Sequence, residues 1–320
     1  MSANLLSRRA LLAAAAAVPA LKTAKAAGPL EHVDLLIDWK PAPTYAGFYI
    51  ARESGAFERR GLDVRIAEGR GASISTEVIG AGREHWIGSA SGAATAIGRS
   101  KGQPVKSLAV YYHDTPTVLY SHTEKPIAAP QDLYGKKIGL VSGSITVEEY
   151  RGFLAANKLK RSKITELAVG QDATPLLSGE VDGLIDYAEI TPTELTAQGH
   201  RITTLRFADF GVRTYSLNLI VNEAAWALPA RRKTARKIVG AVREGYQFVR
   251  DRPAEAVKIF SRLFPDQPIR YLGEAMPIVA RELGRDIVGS QTRKGWQQTI
   301  STMAALKLLA RPVTIDEVAV

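Results

Sequence analysis

The stretch "DWKPAPTYAGFYIARESGAFERRGLDVRI", from Asp38 to Ile66, predicts the architecture of the whole chain. The apolar run Val33–Ile37 precedes it and indicates a buried strand. A short loop rich in proline and aromatic residues follows, and then a helical segment at Ala46–Glu53 and a second strand at Asp63–Ile66. Strands that alternate with helices at such short spacing are typical of an α/β fold whose parallel sheet carries helices on both faces.

The same alternation continues along the chain in two blocks. One block ends near Tyr112, and another runs from Thr117 to Val221, after which the chain is mainly helical. We therefore expect two α/β lobes, with the second lobe (116–222) inserted between the two parts of the first (27–115 and 223–320). Two crossing strands, Thr117–Ser121 and Tyr215–Val221, are expected to form the hinge. Facing lobes of this kind close around a ligand at the carboxyl ends of their strands.

The first 26 residues have the layout of an export signal. Arg8 and Arg9 precede the apolar run Ala10–Leu21, and small residues at Ala24 and Ala26 fit a cleavage site. The arginine pair favours the twin-arginine route, and the run is shorter than the ~20 residues that span a bilayer. We therefore expect a periplasmic protein that is soluble after cleavage; the alternatives are a membrane anchor and a chance alanine-rich helix.

Composition narrows the class of protein further. The 320 residues contain no cysteine, which excludes disulfides and thiolate chemistry. Removal of the four cations of the signal (Arg8, Arg9, Lys22 and Lys25) lowers the formal charge from +10 to +6. The longest remaining basic run, "ARRKTARK" at Ala230–Lys237, has the spacing of a solvated helix face, so we expect no nucleic-acid partner.

Candidate ligand-binding residues follow the ends of the predicted strands. Trp39 and Tyr45 offer aromatic faces on a loop stiffened by prolines, although packing into the core is the alternative interpretation. The Ser/Gly-rich helix starts can hold anions or carbonyl oxygens, although helix capping alone would explain them equally well. Glu189 can accept hydrogen bonds from ring amines. The predicted ligand-binding set is Asp38, Trp39, Pro41, Tyr45, Ser89, Ser91, Ser142, Gly143, Ser144, Asp186, Tyr187 and Glu189.

No set of residues with a catalytic pattern emerges. The five histidines are scattered, no serine lies in a GxSxG pattern, and "GRGAS" lacks the third glycine of a dinucleotide-binding loop. We therefore predict that the protein is not an enzyme and has neither a cofactor nor a metal site.

The stretch that opens this section resembles the start of the periplasmic binding proteins of the thiamine-pyrimidine group. Relatives of that group include the taurine, sulfonate and nitrate binding proteins and a fungal enzyme that makes the thiamine pyrimidine. Further segments match in order, namely "DLYGKKIGLV", "LLSGEVDGLI", "QGHRI" and "FGVRTYSLNLIVNE". The resemblance implies a type II periplasmic binding protein fold. It also implies a monomer that delivers a small molecule to the membrane permease and ATPase of an ABC importer, although a sensor domain remains an alternative.

The resemblance also raises an enzymatic alternative. The fungal enzyme uses a lysine that carries pyridoxal phosphate and a histidine that it sacrifices, and the positions similar to these are Ala90 and Ala94. No lysine lies between Lys40 and Lys101, so no amine is available there for a Schiff base. We therefore expect a binding protein rather than a pyridoxal-dependent synthase.

The choice of ligand depends on the loop after the first strand. The pyrimidine-binding branch usually carries Asn and His there, where this chain has Ala42, Thr44 and Tyr45. Tyr187 and Glu189 look similar to the aromatic residue and the acid of the pyrimidine binders. We expect a thiamine pyrimidine precursor, hydroxymethylpyrimidine or its formylamino form. The alternatives are a riboflavin-like ring or a taurine, sulfonate or nitrate ligand.

Overall fold

The computed structural model describes residues 29–142 and 144–320. The predicted export signal and the candidate Gly143 lie outside these described residues. Within them, no helix has both the length and the apolar character needed to cross a bilayer.

Among residues 29–142 and 144–320, ten strands form two five-stranded sheets. The first sheet has the order β2-β1-β3-β10-β4 and the second has the order β7-β6-β8-β5-β9. The strands are β1 (Glu31–Ile37), β2 (Leu62–Glu68), β3 (Ile87–Ser91), β4 (Val105–Val110), β5 (Thr117–His122), β6 (Lys137–Val141), β7 (Thr165–Val169), β8 (Gly183–Tyr187), β9 (Ile202–Arg206) and β10 (Leu217–Asn222).

Twelve α-helices among the described residues cover the two sheets. They are α1 (Ala46–Glu53), α2 (Ala72–Ala81), α3 (Gly92–Ser100), α4 (Ile145–Ala156), α5 (Thr174–Leu177), α6 (Thr191–Ala197), α7 (Glu223–Ala227), α8 (Pro229–Asp251), α9 (Pro253–Leu263), α10 (Ile269–Glu282), α11 (Arg293–Ala305) and α12 (Ile315–Val318). The two-sheet α/β architecture expected from the sequence is confirmed. The short elements α6, β9, α7 and α12 were not predicted, because each is too short to show a clear periodicity.

Each sheet is mixed rather than wholly parallel. Strands β1, β2 and β3 run parallel, but β10 runs antiparallel between β3 and β4. The second sheet repeats this design with β5 antiparallel to both β8 and β9. The predicted hinge strand Tyr215–Val221 therefore corresponds to β10 and belongs to the first sheet. The sequence had assigned residues 217–222 to the second lobe, and the structure places them in the first. The chain crosses between the sheets in residues 111–116 and 207–216 instead.

The two crossing segments are bound to each other and to α4. Ser216 N donates to Tyr112 O at 3.0 Å, which pairs the segments directly. The buried carboxylate of Glu149 in α4 then accepts hydroxyl hydrogen bonds of 2.5–2.9 Å from Thr115, Thr117 and Thr214. Burial raises the pKa of Glu149, and the threonine hydroxyls oppose that rise. Glu149, on the second lobe, thus binds both crossing segments.

The core of the first lobe depends on a close contact between helices α1 and α8. A Cβ atom added at Gly245 would lie 1.9 Å from Gly47 O and 2.9 Å from Ala51 N, so only glycine fits there. Gly47 in turn lies directly against the Tyr246 ring. Tyr246 packs edge-on to Phe48 and stacks on Tyr111, with ring centroids at 5.5 and 4.5 Å. The close approach therefore brings a cluster of buried aromatic rings under the loop that follows β1.

Gly245→Ala should destabilise the fold by about 3 kcal/mol, because the added methyl group meets backbone atoms that cannot rotate away. Urea denaturation measures the change. Gly273→Ala is the matched control, since Gly273 is an exposed helix residue whose added Cβ would have no neighbour within 4 Å. That substitution should stabilise the protein by about 0.5–1 kcal/mol through helix propensity. Equal effects of the two substitutions would contradict the account of the helix crossing.

Candidate ligand-binding cleft

A cavity of about 330 Å³ lies between the two sheets. Its size is in the lower part of the range of small-molecule sites, ~300–1,000 Å³. Seven residues of the predicted set line it: Asp38, Trp39, Tyr45, Ser142, Ser144, Asp186 and Tyr187. They come from the carboxyl ends of β1, β6 and β8, so the strand-end argument brings residues of both sheets to one cavity. Their role in ligand binding stays a prediction.

The loop after β1 is fixed in place through its main chain. Gly69 comes so close that an added Cβ would lie 2.4 Å from Ile37 O. Trp39 is half-buried and Tyr45 is buried, and both line the cavity. Residues outside the loop donate hydrogen bonds to four of its carbonyl oxygens: Gly71 N to Asp38 O at 2.8 Å, Gly69 N to Trp39 O at 3.3 Å, Gln267 Nε2 to Pro41 O at 2.9 Å, and Tyr246 OH to Thr44 O at 2.9 Å.

Four other members of the predicted set do not line the cavity. Strand β3 ends at Ser91 rather than at the expected Gly88, so Ser89 lies inside the sheet. There Ser89 Oγ accepts from Asp38 N at 2.9 Å and donates to the Asp38 carboxylate. Ser91 caps α3 by accepting from Ala94 N at 3.0 Å. Pro41 contributes its carbonyl to the loop anchor, and Glu189 lies behind Thr44.

The wall from the second lobe is built from local hydrogen bonds. Ser144 caps α4 and accepts from Thr146 N at 3.3 Å. The two oxygens of Asp186 accept from Tyr187 N, at 2.7 Å, and from the hydroxyl of Thr191. The Tyr187 hydroxyl lies 3.4 Å from Ser216 Oγ in the second crossing segment. The wall therefore contacts the crossing segment directly.

Several cavity residues are absent from the predicted set. They are Thr44, Arg70, Ser73, Ile74, Tyr120, Gln171, Asp172, Ile190 and Thr191, among others. Arg70 and Ser73 follow β2, in a segment recognised as a strand end but not chosen. Gln171 and Asp172 follow β7, and the same strand-end rule applied to that strand finds them. Tyr120 is different, because it lies inside β5, where no sequence signal distinguishes it from a core residue.

The cavity carries more negative than positive groups. Among the described residues, three carboxylates line it, those of Asp38, Asp172 and Asp186, against the single guanidinium of Arg70. Burial raises the pKa values of Asp38 and Asp186, while hydrogen bonds from Ser89 and Thr191, respectively, act in the opposite direction. An anionic ligand would face repulsion from this wall, whereas amino groups and ring N–H groups would find acceptors.

Glu189 forms a buried contact between the lobes. Its Oε1 accepts from Thr44 Oγ1 at 2.8 Å and from Tyr112 OH at 3.3 Å, and Tyr271 OH donates to its backbone carbonyl at 3.2 Å. Its Oε2 has no hydrogen-bond partner among the described residues. Burial, with the negative charge of Glu282 as a smaller cause, raises the pKa of Glu189 from 4.5 to about 7. The acid favours its neutral form where the loop after β8 meets the first lobe.

The raised pKa of Glu189 predicts a dependence of stability on pH. The unfolded chain loses this proton near pH 4.5, whereas the folded protein holds it to about pH 7. The free energy of unfolding should therefore fall as pH rises through this window, by up to about 3 kcal/mol. Glu189→Gln should remove this component of the pH profile in urea denaturation. Glu194→Gln, at an exposed position on the adjoining helix α6, is the control; parallel pH profiles for wild type and Glu189→Gln would contradict the assignment.

The residues present do not fit the pyridoxal phosphate chemistry of the fungal enzyme. Ala90 and Ala94, at the positions similar to its lysine and histidine, are both buried and have no functional group. Among residues 29–142 and 144–320, no group of three or more His, Asp or Glu side chains is placed to hold a metal ion.

Two curated relatives match nearly the whole chain. The riboflavin-binding protein RibY of Chloroflexus aurantiacus is 26% identical over 325 residues, which covers 94% of this chain and 89% of the relative. The formylaminopyrimidine-binding protein of Halalkalibacterium halodurans is 22% identical over 296 residues, with coverage of 90% and 89%.

A solved structure and a family model complete the comparison. The alkanesulfonate-binding protein SsuA from Xanthomonas axonopodis pv. citri, bound to MOPS, superposes with a TM-score of 0.71 at 16% identity, covering 91% of this chain and 99% of SsuA. This likeness shows the fold, which is the type II periplasmic binding protein fold expected from the sequence. The model of the family described as NMT1/THI5 like matches residues 42–256. That match covers well over half of the 320 residues, so the chain belongs to the NMT1/THI5-like family.

Proposed function

We propose that the protein is the exported substrate-binding component of an ABC importer, and that it captures a small heteroaromatic molecule between its two lobes. The observation that carries the proposal is the cavity of about 330 Å³ lined by aromatic rings from both lobes and by more carboxylates than cations. We propose a thiamine pyrimidine precursor, hydroxymethylpyrimidine or its formylamino form, as the first candidate ligand.

The aromatic side chains support a flat ligand. Trp39 and Tyr45 line the cavity from the first lobe, and Tyr187 lines it from the second. An aromatic ligand enclosed between such side chains gains both buried apolar area and favourable ring contacts. The carboxylates of Asp38 and Asp186 supply acceptors for exocyclic amines or ring N–H groups.

A flavin is the second candidate ligand. The cavity is within the size range of sites that hold drug-sized molecules, so its volume is compatible with a larger ring system. The relative RibY carries the name of a riboflavin-binding protein, and the relative from Halalkalibacterium halodurans is named for a formylaminopyrimidine. Both names describe heteroaromatic ligands. A sulfonate or nitrate ligand fits the charge of the cavity less well, since Arg70 is the only cation that lines it in the part of the chain that the structure describes.

The proposal includes a transport role without catalysis. Ala90 and Ala94 provide no nucleophile, which supports a binder over a pyridoxal-dependent synthase. Export through the predicted signal would place the protein in the periplasm, where it would act as a monomer and deliver its ligand to a membrane permease with its ATPase.

A thermal-shift panel on the chain from Ala27 tests the class of ligand. The panel holds hydroxymethylpyrimidine, its formylamino form, riboflavin, taurine, an alkanesulfonate and nitrate. A ligand at a hundredfold excess over its dissociation constant adds about 2.7 kcal/mol, which corresponds to a rise of roughly 5–10 °C in Tm for a chain near this size. We expect a shift with a pyrimidine or with riboflavin. A shift with a small anion alone would overturn the heteroaromatic proposal and leave the fold unaffected.

Trp39→Ala should weaken binding of that ligand by about 1–3 kcal/mol, by analogy with the stacking of bases on aromatic side chains. Isothermal titration calorimetry measures the change. Trp226→Ala is the matched control, because Trp226 is a half-buried tryptophan of the same lobe that does not line the cavity. A folded Trp39→Ala variant with unchanged affinity would remove Trp39 from the site.

A further inference from the structure

A second surface with an unusual charge lies at the start of helix α8. Five cations occur there within seven residues: Arg231, Arg232, Lys233, Arg236 and Lys237, called here the basic edge. Four of them, with Arg60 and Pro229, line a concave region of about 500 Å³. None of the five forms an ion pair with a carboxylate of residues 29–142 or 144–320. The nearby Glu244 is already paired, with Arg60 at 2.5 Å and with Arg59 at 3.0 Å.

Local contacts hold the guanidinium groups of the basic edge at the surface. Arg231 lies 4.8 Å from the centroid of the Trp86 ring, and Arg232 and Arg236 lie 5.4 and 5.8 Å from that of Trp226. Arg232 also donates to Trp226 O at 3.0 Å. Cations stacked on indole rings are oriented without being neutralised, so their charge remains available to a partner.

The position of the basic edge separates it from the ligand cavity. Thr234 Oγ1 donates to the carboxylate of Glu31 at 2.7 Å, which places the start of α8 beside the first residue of β1. The cavity lies at the other end of that strand, beyond Ile37. Seven residues of β-strand extend over about 20 Å. The basic edge is therefore on the side of the first lobe opposite to the cleft.

One further observation points to a lipid surface as the partner. Leu228, immediately before α8, is 57% exposed although it is a large apolar residue. Lys and Arg side chains around tryptophan and an exposed leucine suit the interface of a bilayer, where apolar groups enter the headgroup region and cations meet phosphates.

We propose that the basic edge, with Leu228 at its tip, holds the protein on a bilayer that contains anionic phospholipid. Each Lys or Arg near an anionic bilayer raises the affinity roughly fivefold, and salt weakens this attraction. Because the cleft lies at the opposite end of the sheet, lipid contact and ligand capture use different surfaces of the same lobe.

Co-sedimentation of the chain from Ala27 with vesicles tests the proposal. The vesicles contain either phosphatidylcholine alone or phosphatidylcholine with phosphatidylglycerol. We expect binding to the anionic vesicles at low ionic strength, little binding to the neutral ones, and release at about 0.5 M salt, where screening is strong. Binding to both kinds of vesicle alike, or to neither, would overturn the proposal.

A charge-matched pair of triple variants locates the surface. We expect the partition coefficient between anionic vesicles and water to fall roughly 100-fold in the triple variant Lys233→Gln, Arg236→Gln, Lys237→Gln. Lys125→Gln, Lys137→Gln and Lys160→Gln remove the same charge from exposed positions of the second lobe and should leave the partition coefficient within about threefold of wild type. Equal losses in the two triples would show that net charge alone drives binding, against the proposal.

Two further measurements keep the interpretation specific. Circular dichroism and Tm establish that each triple variant is folded, and titration with the ligand identified by the panel should give wild-type affinity for both. A thermal-shift measurement with inorganic phosphate tests whether the basic edge binds a soluble anion instead of a lipid. If phosphate raises the Tm of the wild type but not of the basic-edge variant, and no vesicle binding occurs, the concave region holds a soluble anion and the lipid proposal fails.

Discussion

The hydrogen bonds accepted by the buried carboxylate of Glu149 join the second lobe to the two segments that cross between the sheets. The carboxylate accepts hydroxyl hydrogen bonds from Thr115 and Thr214, which lie in the two crossing segments, and a third from Thr117 at the start of β5. A buried carboxylate without such donors would be strongly unfavourable, so the acid and the three threonines depend on each other. Helix α4, which carries Glu149, is capped by Ser144 beside the ligand cavity. A single helix therefore contacts both crossing segments and one wall of the cavity.

Much of the architecture could be predicted because local patterns agree with the final packing. The strands β1 and β6 and the helix α1 lie where the sequence indicates, since apolar periodicity and glycine stops mark them clearly. The end of β3 could not be predicted, because "GSAS" has the small residues of a helix start and yet continues the strand to Ser91. The sheet membership of β10 also depends on long-range pairing with β3 and β4, which no local pattern contains.

The candidate site shows the same division between local and non-local information. Residues that directly follow a strand, such as Trp39 and Ser144, were found because the topology places all such positions at one edge. Glu189 also follows a strand, but it turns away from the cavity to meet Thr44 and Tyr112, and only the packing of the two lobes determines that direction. Arg70 lines the cavity beside Gly69, which lies close to the backbone of the β1 loop, and this close approach is not visible in the sequence. The position of a residue in the sequence thus predicts which edge of the sheet it occupies. The direction of its side chain depends on how the two lobes pack.

The anchoring of the loop after β1 has a consequence for how this scaffold changes its specificity. The loop is held by the carbonyl oxygens of Asp38, Trp39, Pro41 and Thr44, and every residue type supplies a carbonyl. A side chain that faces the cavity without such a bond, as that of Trp39 does, can therefore be exchanged during evolution, or by a protein engineer, while the backbone stays in place. This separation explains how the chain can keep Trp39 in the loop and yet carry Ala42, Thr44 and Tyr45, where the pyrimidine-binding branch usually carries Asn and His. A new ligand preference needs only new side chains on an unchanged backbone.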